Sequence, residues 1–401
     1  MNVRMLCLAA ACVLVSCSTD STRSSNWWNA AWRYRAGIEI AAGPYQRSGK
    51  PTELQLNFSS LLERLGIEGE LDAANIRLVE TGPDGGILDP DVSFQFDPDN
   101  NFDASSNASG HLLFICTDAT DSLATRTYDL YFDTADNSEG KIPAKVDTLV
   151  RVEDVELHEG QPSFRIQTPA ATYYYHKAGA GFASIEDRDG VDWLGYRPCC
   201  ESDGQYRGIP NMWKFHPGQD SSASRIEIAG PLRTRIHSVA ADSSQECVWD
   251  IFPEYARMNL LKVDSTYWFL YEGIPGGSLE VERDYSMISS GLRRSIAEDW
   301  HGDLPGPEWI YFGDDSIRRT LYLVHHDDDD RTDQFWQMRK EMVVFGFGRE
   351  YRCCGTYMDR VPALFTVGFA EDSAYAAVSR VIDNAFRPLD VTLGEIEKLR
   401  E

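Results

Sequence analysis

The sequence predicts a mainly β protein of two antiparallel β-sandwich domains, a small N-terminal one and a larger C-terminal one, with a short C-terminal helix. Three observations predict it. Apolar residues alternate with polar ones through most of the chain, Gly, Asp and Pro punctuate those runs, and helical periodicity is scarce. The 401 residues exceed one ordinary domain, and a polar stretch at 137–150 offers a linker. Hydrophobic residues make up 42% of the chain, and 18 Phe with 10 Trp are ample for two cores.

The chain opens with Met1-Asn2-Val3-Arg4, then an apolar run from Met5 to Val15. A short positive segment followed by about 7–15 apolar residues reads as an export signal, too short for a permanent membrane span. Leu14-Val15-Ser16-Cys17 resembles the lipobox of bacterial lipoproteins. The resemblance implies a signal peptide over 1–16, lipidation of Cys17 and, because Ser18 rather than Asp follows, sorting to the outer membrane. Residues 17–26 then form a lipidated, flexible tether. The expected location is the cell envelope, with the membrane met through the lipid anchor only.

The first sandwich is expected over 27–145. Leu54-Leu56-Phe58, Val92-Phe94-Phe96, Leu112-Phe114-Cys116 and Tyr128-Leu130-Phe132 each alternate as strands. Trp32-Arg33-Tyr34-Arg35 and the closing Tyr128-Asp129-Leu130-Tyr131-Phe132 resemble a β-sandwich module common in secreted bacterial proteins, which says little about function.

The second sandwich is expected over 151–401. Phe182–Glu186 and Val191–Leu194 flank Asp189-Gly190, a strong hairpin signal. Further strands are expected at 225–238, 246–253, 257–264, 266–272, 281–287, 308–313 and 320–326. Helix is expected at 372–386, where Ala374, Val378, Val381, Ile382 and Ala385 fall at helical spacing, and more weakly at 332–342 after Thr332. Ala178-Gly179-Ala180-Gly181-Phe182-Ala183-Ser184, Gly230-Pro231-Leu232-Arg233 and Tyr271-Glu272-Gly273-Ile274-Pro275-Gly276-Gly277 resemble the large sandwich of the galactose-mutarotase-like group. That group also includes polysaccharide lyases and glycosidases, so the resemblance implies sugar chemistry.

The formal charge of −25 becomes −26 once Arg4 leaves with the signal. Such a surface argues against nucleic acid as partner, and an anionic substrate must then meet a local basic patch. Outside the signal and Cys17 remain Cys116, Cys199, Cys200, Cys247, Cys353 and Cys354, in an oxidising compartment. Six cysteines allow fifteen pairings; a bridge between the Cys199-Cys200 and Cys353-Cys354 loops is favoured over zinc, since no His stands at ligand spacing.

The densest polar constellation runs from Gln205 to Gly218 and holds Tyr206, Arg207, Asn211, Trp213 and His216. Aromatic faces beside hydrogen-bonding groups suit a pyranose ring. A lyase acting beside a uronic acid needs a group to neutralise the carboxylate, a base for the C5 proton and an acid for the leaving oxygen. Arg207 and Asn211 fit the first role, His216 or His176 the second, and Tyr206 the third. Glu272, before a Gly-rich turn, is the candidate for a glycosidase, with Glu254 or Asp250 as its partner. The mutarotase-like resemblance instead implies Glu272 as a base with a histidine acid. Arg235 and His237, sharing a strand face with Arg233, and Arg349, near Arg352, are candidates to meet an anionic substrate, although solvated faces explain them equally.

No cofactor is expected beyond structural calcium, for which Asp97–Asp103 and His325–Asp330 are the candidate segments. His325 or His326 alternatively serves the active site. The expected partner is therefore a polysaccharide or oligosaccharide. β-Elimination ranks first because the Tyr, Arg, Asn and His set is richer than any carboxylate pair. A hydrolase built on Glu272 and a non-catalytic glycan-binding surface protein are the alternatives.

Overall fold

The computed structural model describes residues 27–197, 207–350 and 355–400. Cys17, Tyr206, Arg352 and both adjacent cysteine pairs lie outside these residues.

The small sandwich contains β1 (Tyr34–Ala41), β2 (Lys50–Asn57), β3 (Arg77–Thr81), β4 (Ile87–Asp89), β5 (Phe94–Pro98), β6 (Ser109–Cys116) and β7 (Thr125–Phe132). β1-β7-β3-β4 form one sheet and β2-β6-β5 the other. Tyr34, Ala36, Ile38 and Ile40 from β1 pack into one core with Leu112 and Phe114 from β6. Alternation thus delivers one apolar face per strand. At the end of β2 the chain turns into a helix the alternation did not foretell, α1 (Phe58–Arg64). The Ser60 amide donates to the Asn57 side chain as N-cap, and Phe58, Leu61 and Leu62 are buried.

The large sandwich begins with β8 (Arg151–His158), β9 (Gln161–Gln167), β10 (Ala171–His176) and β11 (Gly181–Asp187). β12 (Ser222–Ala229), β13 (Thr234–Ala240), β14 (Gln245–Ile251), β15 (Tyr255–Val263) and β16 (Phe269–Gly273) follow. Then come β17 (Asp284–Ile288), β18 (Arg293–Ser295), β19 (Trp300–Gly302), β20 (Trp309–Asp314) and β21 (Thr320–His325). β22 (Asp333–Met338), β23 (Met342–Phe347) and β24 (Ala363–Ala370) complete it. One layer is the nine-stranded sheet β12-β13-β14-β15-β24-β21-β20-β17-β18. The other is made of two four-stranded pieces, β11-β10-β9-β8 and β16-β23-β22-β19.

Gly208 and Ile209 stitch those two pieces together. Ile209 exchanges backbone hydrogen bonds with Phe182 on β11, and Gly208 exchanges them with Glu272 on β16. Phe182, Tyr173, Phe269 and Tyr271 face Trp249, Phe312 and Phe365 across the core. The outer face of the nine-stranded sheet is covered by α2 (Tyr375–Phe386), through Val378 and Ile382, and by Leu113 and Ile115 of β6.

Two expectations are corrected. Residues 332–342 form part of the β22–β23 hairpin, not a helix. Phe335 faces the main core and Trp336 the opposite side, which is a two-residue period, and Arg339 and Lys340 turn the chain at φ values of +53° and +60°. The second correction concerns the domain limit. β25 (Asp390–Lys398) leaves the large sandwich and pairs antiparallel with β1, so the small sheet reads β25-β1-β7-β3-β4. Val391, Leu393 and Ile396 pack on the small core, which is why this segment belongs there.

The two sandwiches are also joined by charge. Arg233, 0% exposed, donates to Glu53 at 2.8 Å and to Asp97, both on the small domain. Arg257 donates to the same Glu53 at 2.7 Å.

Candidate functional site

The site is built on the outer face of β16-β23-β22, the side of the large sandwich away from the small domain. Phe269 and Tyr271 of β16 point into the main core, so Trp268, Leu270 and Glu272 must point out. The Gly208–Pro217 segment crosses this face, held by its backbone bonds to β11 and β16, and brings Asn211, Trp213 and His216 to it.

There the Asn211 amide donates to Glu272 Oε2 at 2.8 Å, and His216 Nε2 stands 3.5 Å from the same oxygen. His216 is 5% and Glu272 3% exposed. His216 Nε2 is buried and has no hydrogen-bond partner among the described residues. An orphaned buried nitrogen beside a carboxylate is costly unless it serves a purpose, and it can pass or hold a proton.

An aromatic ledge adjoins the pair. Trp213, 44% exposed, lies with its ring centroid 4.9 Å from that of Trp268, and each indole N–H donates to a backbone carbonyl, of Thr266 and Asn211 respectively. The Arg349 guanidinium lies 4.8 Å from the Trp268 ring centre and 4.5 Å from that of Trp336. Burial holds its pKa down at about 10 against the opposing pull of Glu272. Trp268 and Trp336 were not singled out from sequence, although Trp268 shares the two-residue period of Glu272 and so its face.

The other candidates are placed elsewhere or differently. Arg207 is 8% exposed and donates to the carbonyls of Gly195 at 2.9 Å and Glu341 at 3.0 Å, which ties the loop after β11 to the β22–β23 turn. His176 is fully buried; it accepts from the Gly218 amide at Nδ1, and its Nε2 lies 3.1 Å from the His158 carbonyl. Burial, reinforced by His158, pushes its pKa down to about 3, so it is a neutral packing histidine and not a base. Arg235 makes a two-pronged contact with Asp250 at 2.7 and 2.9 Å, and His237 sits between Glu246 at 2.6 Å and Glu227 at 3.2 Å. Neither offers charge to an anion. Asp250 is thus committed to arginines, and Glu254 lines a cavity with Gln46 and Gly49 of the small domain, so neither partners Glu272.

The two acidic segments also resolve. Asp97 accepts from Gln95 and Arg233, Asp99 from Gln55, and Asp103 from Ser105 and Ser106. Protein donors thus already engage all three carboxylates of the first segment. In the second, His326 Nε2 lies 2.8 Å from the Thr366 hydroxyl with its pKa pushed down to about 3 by burial, away from Glu272. His325 instead pairs with Glu308 at 2.6 Å.

Among known proteins, no family model matches the chain, and no curated protein matches it in sequence. Solved structures share the architecture only distantly. A galactose mutarotase related enzyme from Lactobacillus acidophilus is 10% identical with a TM-score of 0.35, covering 53% of this chain and 100% of its own. A protein in the glycosyl hydrolase family 38 from Enterococcus faecalis is 9% identical with a TM-score of 0.41 over 92% of this chain. The chain spans about half, 48%, of that protein's length.

Proposed function

We propose that the protein is an extracellular carbohydrate-active enzyme that cleaves a polysaccharide next to a uronic acid by β-elimination, with His216 as its base. The carrying observation is the meeting of Asn211 and His216 with Glu272, 61 residues beyond Asn211, beside an exposed indole and a buried arginine. In this reading a pyranose ring stacks on Trp213. Arg349 and Asn211 draw charge from the uronate carboxylate, which makes the neighbouring C5 proton acidic. His216 takes that proton, Glu272 stabilises the imidazolium that results, and the C4–O bond breaks as the C4–C5 double bond forms. Tyr206 gives its proton to the leaving oxygen. Cys17 carries the lipid that holds the enzyme at the outer membrane.

Hydrolysis ranks below elimination because Glu272 has His216 and Asn211, not a second carboxylate, as its side-chain partners among the described residues. The test is direct. The full chain is incubated with ulvan, alginate, pectin and glucuronate-rich gums while near-ultraviolet absorbance and reducing ends are followed. Elimination raises both, and His216→Ala abolishes both. Reducing ends without absorbance support a hydrolase, and retention on a glycan gel with neither product supports a binder; either result overturns the lyase reading.

A further inference from the structure

Behind the ledge, where β21 ends, lies a second polar cluster that the proposed chemistry does not use. Glu308 and His325 are 2% and 3% exposed, while Asp329 is half-buried. One ligand atom from each of the three lies within 4.8 Å of the other two. His325 Nδ1 is 2.6 Å from Glu308 Oε2, and the Asp329 amide donates to Glu308 Oε1 at 2.7 Å. The His325 ring is stacked on Phe365, with centroids 4.9 Å apart and planes 14° apart, so its edge is fixed. His325, Asp327, Asp329 and Asp359 line a small cavity with room for about one water-sized atom, and no hydrogen-bond partner occupies His325 Nε2 among the described residues.

The charge balance around this cavity is lopsided. Among the described residues Asp333, 2% exposed, accepts only backbone amides, those of Leu304 and Gly348, and its pKa is driven well up by burial and then by Glu308. Arg331, which lines the cavity too, makes its ion contacts with Asp330 and Asp359 at 3.9 and 3.7 Å, not with Glu308. Holding the buried Glu308 and Asp333 beside the half-buried Asp329 without a buried cation is expensive.

We propose that Glu308, His325 and Asp329 hold one divalent cation, with further oxygens from the Asp327 and Asp359 side of the cavity. Two ligands of one ion lie at most twice a bond length apart, about 4.2 Å for zinc and about 4.8 Å for calcium. The cluster closes on either ion once the proton shared by His325 Nδ1 and Glu308 Oε2, 2.6 Å apart, is released to solvent and the two atoms move slightly apart. The imidazole favours a first-row ion such as zinc over calcium, with manganese suited to the carboxylates. The ion's place in the fold gives it a job. Tyr267, on the cavity wall, precedes Trp268, and the Gly348 amide held by Asp333 precedes Arg349. A cation here braces the cavity wall at Tyr267, next to the ledge residue Trp268, independently of what that ledge binds.

The test uses the full chain. Its metal content is measured as purified, and after chelation its thermal midpoint is followed with zinc, manganese or calcium chloride. The expected result is about one equivalent of metal per chain, and a midpoint rise of at least about 3 °C when the preferred ion is at about a hundred times its Kd. Glu308→Gln and the milder Asp329→Asn should each lower affinity at least tenfold, while Asp330→Asn, at an exposed neighbour, keeps it. Should the protein purify without metal and none of the three ions shift the chelated chain, the cluster is a plain Glu–His hydrogen-bonded pair and the proposal fails. Equal responses in Asp329→Asn and Asp330→Asn would overturn it as well.

Discussion

Replacing Glu272 by Gln removes one charge and almost no volume. The Gln amide oxygen can still accept from Asn211, so the crossing segment keeps its anchor. What is lost is the attraction between the carboxylate and His216, whose Nε2 is 3.5 Å away with both side chains nearly buried. At an effective dielectric constant of about 20, opposite unit charges at that separation attract by about 4–5 kcal/mol. That attraction exists only after His216 has taken a proton, so it lowers the barrier more than it strengthens binding. Relaxation of neighbours, Arg349 above all, offsets part of it; about half remaining gives a fall in kcat of about 10²-fold. The assay is the absorbance rise on the polyuronate that the enzyme accepts, with kcat and KM separated and the thermal midpoint recorded alongside. KM should stay within about threefold. A variant that keeps kcat within threefold, while His216→Ala is inactive, would refute the idea that Glu272 balances the charge on His216.

Three further outcomes are expected. Arg233→Met removes the buried cation shared by Glu53 and Asp97 at the domain boundary, while Arg257 still donates to Glu53 and Gln95 to Asp97, and should cost about 2–3 kcal/mol in denaturant unfolding; a loss below about 1 kcal/mol would show the contact to be incidental. Asp284, 2% exposed, has its pKa pushed up to about 7 by burial and then by Asp314. Its stabilising contribution is therefore whole below its unfolded value near 4 and disappears as pH rises through about 7. Asp284→Asn should gain on the parent by up to about 4 kcal/mol between pH 4 and pH 8, and a constant difference across that window contradicts the assignment. Trp213→Ala, which strips the exposed indole, should raise KM about 5–10-fold with little change in kcat, as expected from about 1 kcal/mol of stacking area; an unchanged KM removes Trp213 from the sugar's path.

Much of the fold was legible because alternation is a local property. Leu112, Phe114 and Cys116, or Tyr128, Leu130 and Phe132, declare a buried face without reference to the rest of the chain. The joining of Asn211 and His216 to Glu272 was only half legible. Each stood out as a polar residue in Gly- and Pro-broken sequence, but their meeting depends on Gly208 and Ile209 bridging two sheet pieces, a long-range event. The arginines misled for a related reason. Arg235 and Arg207 look available in one dimension, and only the fold places Asp250 or two carbonyls against them. β25 was missed because a bulge in its pairing with β1, between Ala36 and Ile38, breaks the two-residue rhythm.

That last strand gives the molecule a particular mechanical character. In the β1–β25 pair Tyr34 lies opposite Lys398 and Ala41 opposite Asp390, so residue 34 and residue 398 leave the sheet side by side. A load applied between residues 27 and 400 meets this ladder first and opens it like a zipper, one hydrogen-bonded pair at a time, rather than shearing all its bonds together. Force spectroscopy should record an early, low-force release of β25. The large sandwich and the ledge it carries would feel tension only after that release, which makes β25 a sacrificial latch.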